Sequence, residues 1–428
     1  MQREPRTTPE EVFRPSSVDR RPPSWRTPAV IVVCGCLISM IGFGPRATLG
    51  FFLTPMSNAN GWGREVFALS VAVQTLLYGA AQPFSGAIAD RFGTIRVIIV
   101  GTLLYAAGIF MMAHASTPGM LYLSSGVLIG FGLSGCSFNL VISSFGKLLP
   151  ESWRSLAFGA GTASGSFGQF LFSPLGVSLI DAVGWRTTLE IFAGLLLLII
   201  PLAFAIATPR SDAPAAGTAP SAVPTQTYKQ ALAEALGHRS FILLVLGFFT
   251  CGFQLGFVTL HLPAYLIDRG LSAQVGGWTL GAIGLFNIVG AMLSGWLGGR
   301  MPKRYILSFI YFTRALAVVF LITLPASPAV ALIYGAVTGL LWLSSVPPTS
   351  GLVALMFGTR WLAMLFGVAF FSHQVGGFLG VYLGGLLYAR TGSYDVVWWL
   401  GVLFGVLSAV INLPIVEQPV ARPAPAPA

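Results

Sequence analysis

Charge is the scarcest feature of this sequence. Only 9% of its 428 residues are charged, and acids are rarer than bases, with 14 Asp and Glu against 24 Lys and Arg. A soluble domain carries about 25% charged residues, so a water-facing globule is excluded. Cysteine is rare too: Cys34, Cys36, Cys136 and Cys251 all fall in apolar runs and form no Cys-x-x-Cys pair. They read as small apolar filler rather than a metal or redox centre. No Walker loop, metal-ligand cluster, Ser-His-Asp arrangement or dinucleotide fingerprint stands in a plausible loop. The chain therefore reads as no enzyme, with no cofactor and no metal. The first 27 residues are polar and rich in Arg and Pro, without the apolar core of a signal peptide.

What is present is apolar sequence, 55% of the chain. Runs of about 20 apolar residues mark membrane-spanning helices. Twelve can be drawn, at 28–54, 64–88, 96–114, 119–146, 154–180, 186–207, 240–266, 273–299, 303–324, 328–349, 361–388 and 394–415. The 51 glycines suit such a bundle, because glycine lets helix backbones approach closely. The net charge of +10 is no nucleic-acid signal. With the N-terminus placed in the cytoplasm, eighteen Lys and Arg fall on the cytoplasmic side and four on the outer side. That asymmetry predicts cytoplasmic termini. The two left over, Arg46 and Arg314, lie inside spans.

The chain repeats itself. Shifted by 208 residues, the stretch 153–184 meets 361–392 with eleven identities in 32 positions, among them Trp153 with Trp361, Gly168 with Gly376 and Gly184 with Gly392. Between the repeats, 208–238 is rich in Pro, Ala and Thr and reads as a flexible linker ending in a short amphipathic helix. The expected organisation is a disordered cytoplasmic tail at 1–27, a six-helix half at 28–207, the linker at 208–238, a second half at 239–415 and a tail at 416–428. The fold class is an all-α integral membrane protein, twelve spans in two pseudo-symmetric halves. Parallel repeats around a midplane site are a transporter architecture.

The loop after the second span reads "GAIADRFGTIR", Gly86 to Arg96. It resembles the major facilitator superfamily signature G-x-x-x-D-R-x-G-x-x-[KR]. Gly86 would allow close helix contact, Asp90 would pair with a basic group or cap a helix end in one state, and Gly93 would make the tight turn. Arg91 and Arg96 would hold the cytoplasmic face. The second copy, "GWLGGRMPKR", has Gly299 in place of the Asp. "GPRATLGFF" in the first span resembles the P-K-x-x-x-x-F-F segment of the monocarboxylate porter branch, which groups with oxalate–formate antiporter-like carriers. "RSLAFGAGTA", starting at Arg154, resembles that branch's R-x-L-A-x-G signature. The branch's acidic motif before the first span and its Asp and Arg in the eighth are absent; Asn287 is the strongly polar residue there.

The resemblance places a basic, functionally important residue at Arg46. A planar guanidinium suits a carboxylate, so Arg46 is the expected anion anchor, with snorkelling to the outer surface as the alternative. Tyr78, Asn139, Asn287, His373 and Gln374 are candidate substrate contacts, each with a packing role as its alternative. Arginine does not release a proton at physiological pH, and no Asp or Glu lies deep in a span. Proton coupling therefore falls to His373, or to His261, which is also a candidate gate. Arg314, in the ninth span, is assigned a structural or snorkelling role without a named partner.

The function these features support is secondary active transport of small organic anions, monocarboxylates or related acids, by alternating access, with possible proton coupling. The alternatives are an efflux carrier for hydrophobic drugs or metabolites and, at a distance, a non-transporting metabolite receptor. The expected partners are a small anionic substrate and the bilayer, with no nucleic acid, in a monomer of the bacterial inner membrane.

Overall fold

The computed structural model describes residues 25–208, 228–358 and 362–420. The tails at 1–24 and 421–428 and most of the linker lie outside it, as do the side chains of Asp90, Arg91 and Arg154. Among the described residues ten helical runs are long and apolar enough to cross a membrane. The helix Arg64–Phe92 is an eleventh, less apolar because it carries Ser70, Gln74 and Gln82. One of the ten holds two spans that follow each other without a loop, divided at Gly184, whose φ of +81° turns the chain back.

The twelve are α1 (Pro28–Asn60), α2 (Arg64–Phe92), α3 (Thr94–Ala113), α4 (Pro118–Phe145), α5 (151–183), α6 (185–203), α7 (Arg239–Asp268), α8 (Ala273–Gly298), α9 (Lys303–Thr323), α10 (Pro328–Phe357), α11 (Leu362–Thr391) and α12 (Asp395–Asn412). The linker ends in a helix, Tyr228–Gly237, that buries Ala231 and Ala235. Threonine or serine caps the starts of α1, α4, α8 and α10, each side chain accepting from a backbone N–H three residues on. The turn before α3 uses Gly93 at φ +88°. Thr94 pins it to the end of α6, its N–H donating to Thr208 Oγ1 at 3.1 Å and its hydroxyl to the Ile206 carbonyl at 3.1 Å.

Three spans depart from regularity, and the departures position the site. In α1, Pro45 supplies no N–H, and the helix is reset at Thr48, whose hydroxyl donates to the Pro45 carbonyl at 2.7 Å. The first span also runs six residues past the bound read from the sequence. Its midpoint is Gly44, so Arg46 lies about 3 Å from the middle along the axis rather than well toward the outer side. In α4, a π-helical turn at Tyr122–Leu128 is followed by a full break at Cys136 and Ser137, where Ser137 is extended. In α10, the helix stops at Leu341 and restarts at Val346. A shift of 208 residues carries Cys136 and Ser137 onto Ser344 and Ser345, so the two breaks are related by the same repeat.

The halves meet along two seams, α2 with α11 and α5 with α8, and α1 also touches α7. Glycines make the seams close. A Cβ on Gly385 would lie 2.3 Å from that of Ala68, one on Gly284 2.7 Å from the Ser166 carbonyl, and one on Gly50 2.7 Å from the Leu260 carbonyl. The described contacts run from the end of the bundle remote from the termini as far as Gly79 with Gln374 and Asn287 with Ser166. Nearer the termini, Gly86, Gly159 and Gly367 have no described atom within 4 Å of a built Cβ. Among the described atoms Gly86 thus has no close helix contact, since it lies beyond the described end of the seam.

Within the second half the tightest approach is α7 on α11, where a Cβ on Gly252 would stand 1.7 Å from the His373 carbonyl. Gly252→Ala is expected to cost about 3 kcal/mol or more, since backbone rather than a yielding side chain blocks the methyl. Gly194→Ala, with nothing within 4 Å, is expected to be neutral or slightly stabilising. Thermal denaturation followed by size-exclusion chromatography checks both.

Candidate functional site

Between the halves, at the level where the seams stop, lies a cavity enclosing about 600 Å³ of empty space, its mouth included. Arg46, Tyr78, Ser137, Ser166, Gln169 and Asn287 supply its polar wall. Phe43, Leu133, Trp342 and Leu343 supply the apolar one. Both helix interruptions open onto it, Cys136 and Ser137 from α4 and Trp342 and Leu343 from α10.

Arg46 enters from the reset in α1, with its guanidinium carbon 4.8 Å from the centroid of the Tyr78 ring. Such a stack steadies a cation without neutralising it. Among the described residues no carboxylate pairs with Arg46. Asn287 is committed on both sides: its Nδ2 donates to Ser166 Oγ at 2.8 Å and its Oδ1 accepts the Leu343 N–H at 2.9 Å. One amide thus ties the α10 break to α5 of the other half. Gln169 Nε2 donates to the Leu280 carbonyl at 3.1 Å and bridges the same seam.

The other candidate residues are placed elsewhere. Asn139 donates to Gln82 Oε1 at 3.0 Å and does not line the cavity. His373 is buried, stacked 5.7 Å from Phe370 and 5.0 Å from Phe248, with Nδ1 3.2 Å from Gln374 Oε1. Gln374 packs on Gly79 of α2. These two polar residues hold a seam rather than face the cavity. Arg96 is exposed at the start of α3. His261 is wholly buried near the remote end of α7.

His261 belongs to a chain of bonds at that end. Arg64 at the start of α2 makes a two-pronged ion pair with Asp268 at the end of α7, at 2.6 and 2.8 Å. The same guanidinium donates to the Tyr394 hydroxyl at 3.0 Å and lies 4.0 Å from the Tyr388 ring centroid. Tyr394 sits 3.3 Å from His261 Nδ1, and His261 Nε2 donates to the Val381 carbonyl at 2.8 Å. Since a carbonyl only accepts, the proton is on Nε2 and Tyr394 donates to Nδ1. On the second seam Gln274 donates to Asp181 Oδ2 at 2.6 Å.

Ser137, Ser166, Gln169 and Trp342 were not singled out in the sequence. A signal existed: interrupted spans at corresponding positions of two repeats point to a binding site. "SGCS" at 134–137 and "WLSS" at 342–345 are such a pair, the second followed by Pro347 and Pro348.

Twelve spans in two like halves around a cavity between them are the architecture of a membrane transporter. The Major Facilitator Superfamily model matches residues 35–381, and the chain belongs to that superfamily, a family of transporters rather than enzymes. It is 27% identical over 373 residues to the MFS-type transporter YcxA of Bacillus subtilis, covering 86% of this chain and 90% of that one. It is 25% identical over 410 residues to Monocarboxylate transporter 13 of Bos taurus, covering 92% of each. Its fold is similar to that of a bacterial homologue of the human lysosomal transporter Spinster in an inward-facing, unoccupied conformation. That TM-score is 0.71 at 15% identity, over 92% of this chain and 96% of the other.

Asp268→Asn is expected to weaken the two-pronged bond by about 1 kcal/mol and to raise the population separated at this end by about 5-fold. Distances between spin labels placed on either side of the pair check it.

Proposed function

We propose that this protein carries small organic anions of the monocarboxylate class, with Arg46 as the anchor. The observation that carries the reading is a guanidinium near the middle of α1, lining the cavity between the halves and lacking a carboxylate partner among the described residues. A carboxylate supplied by the substrate would complete it, because an uncompensated charge at membrane depth is costly. Tyr78 steadies the guanidinium from one side, and Ser137, Ser166 and Gln169 offer hydrogen bonds to the rest of a small acid. Phe43, Trp342 and Leu343 would take an alkyl or aryl portion. The similarity to monocarboxylate transporters favours the same substrate class.

In this proposal the halves at 28–207 and 239–415 rock about the cavity, joined by the linker at 208–238. The contacts at the remote end, from Arg64–Asp268 to Asn287–Ser166, form the closed gate, and the described geometry corresponds to access from the end bearing the termini. In this reading that end faces the cytoplasm, which the excess of Lys and Arg supports, and the protein is a monomer in a bacterial inner membrane. Proton coupling is assigned to His261 or His373. A proton added to His261 Nδ1 would remove the acceptor of the Tyr394 hydroxyl and set a second cation near Arg64, which favours release of the gate.

The test is uptake of labelled lactate and pyruvate into liposomes holding the purified protein, with an imposed pH gradient. Wild-type uptake is expected to follow the gradient, and Arg46→Gln to lower it by about 100-fold or more, as expected for removal of one member of a charge-assisted pair. Gradient-driven uptake that survives the substitution would remove Arg46 as anchor. A folded protein that takes up no acid would turn the reading toward efflux.

A further inference from the structure

A second cavity lies wholly within the C-terminal half, among α7, α9, α10 and α12. Its wall is apolar apart from Arg314, Gln254, Thr338, Tyr334, whose hydroxyl interacts with Thr338, and the tryptophans Trp342 and Trp398. Trp342 also lines the central cavity, so its indole is the partition between them.

Arg314 is only 3% exposed. Its Nε donates to the Leu341 carbonyl at 3.2 Å, and its Nη2 donates to the carbonyls of Leu341 and Trp342. Those are the last carbonyls before α10 breaks. Nη1 is buried and has no protein partner. Three further buried polar atoms on the same wall share that condition: Trp398 Nε1, Thr338 Oγ1 and Gln254 Oε1. Among the described residues eighteen buried polar side-chain atoms lack a partner, and each is costly. Four from four different helices converging on one small space is the pattern of a binding site. The site is also short of negative charge, since its lining holds a guanidinium and no carboxylate.

The donors define the ligand. A cationic N–H, an indole N–H and a hydroxyl suit an anion. The cavity has room for one or two water-sized spheres, too little for an organic acid. We propose that this cavity binds a single halide-sized anion on Arg314 Nη1, Trp398 Nε1 and Thr338 Oγ1, with one companion water donating to Gln254 Oε1. The anion neutralises Arg314 and holds it on the carbonyls of the α10 break. It therefore stabilises the wall that Trp342 and Leu343 present to the central cavity. The inference does not depend on the substrate assigned to Arg46.

The test uses the full-length protein in detergent at constant ionic strength, with gluconate exchanged stepwise for chloride or bromide. A saturable rise in Tm is expected, together with one anomalous bromide peak in contact with Arg314 Nη1 and Trp398 Nε1 in crystals. Trp398→Phe keeps an aromatic ring and removes one donor, and is expected to weaken the apparent halide affinity about tenfold. Arg314→Lys retains the charge but loses the fork, and is expected to abolish the halide response if it folds. A wild-type Tm indifferent to halide, an unaltered response in Trp398→Phe, or only water in the cavity with no bromide peak would each overturn the proposal. None of these readouts requires transport.

Discussion

A backbone group released from its helix inside a bilayer finds no water, so the protein itself must supply its partner. The two interrupted spans make that requirement concrete. At α10, Pro347 and Pro348 bring no N–H to the preceding carbonyls. Ser294 donates to the Ser344 carbonyl, Arg314 caps those of Leu341 and Trp342, and Asn287 takes the Leu343 N–H. At α4 the caps come from the break itself: Cys136 Sγ donates to the Gly132 carbonyl at 3.2 Å and the Ser137 hydroxyl to the Ser134 carbonyl at 3.4 Å. Gly101 and Gly135 bring the backbones of α3 and α4 together, such that a Cβ on Gly135 would lie 2.7 Å from the Gly101 Cα. Three polar side chains, Ser294, Arg314 and Asn287, are committed to the α10 break, and both breaks line the cavity.

Three arginines show how surroundings decide what one side chain does. Arg64 stands where the bundle meets its surface, beside an acid, and becomes a latch between the halves. Arg314 lies within reach of carbonyls with no helical donor and becomes part of the architecture. Arg46 reaches neither acid nor broken helix among the described residues; it meets an aromatic face and open space. In the proposed function the substrate's carboxylate balances its charge.

The repeat is visible in the packing as well as in the sequence. A shift of 208 residues carries Gly79 onto Asn287 and Ser166 onto Gln374. In one seam the long side chain, Asn287, comes from α8 and reaches Ser166. In the other it comes from α11, as Gln374, and covers Gly79. The same place in the two halves is filled by opposite partners, so the seams match in position and differ in chemistry. The α5–α8 side presents Ser166, Gln169 and Asn287 to the cavity, and the α2–α11 side presents Tyr78.

The sequence by itself determined the span count, the two halves and the superfamily, and it singled out Arg46 as a charge inside a span. Each follows from quantities that need no partner: run length, a repeat offset, a short motif, and the cost of a charge in an apolar stretch. The tertiary structure decided which polar residues face the cavity. Successive residues on a helix turn by about 100°, so polarity alone does not say whether a residue meets a neighbour or a void. His373 and Gln374 share the depth of the site but point into seams with α7 and α2, while Ser166 and Gln169, ordinary in the sequence, line the site. Arg314 shows the limit most plainly: its carbonyl partners stand 27 and 28 residues away on another helix, and only packing brings them within reach.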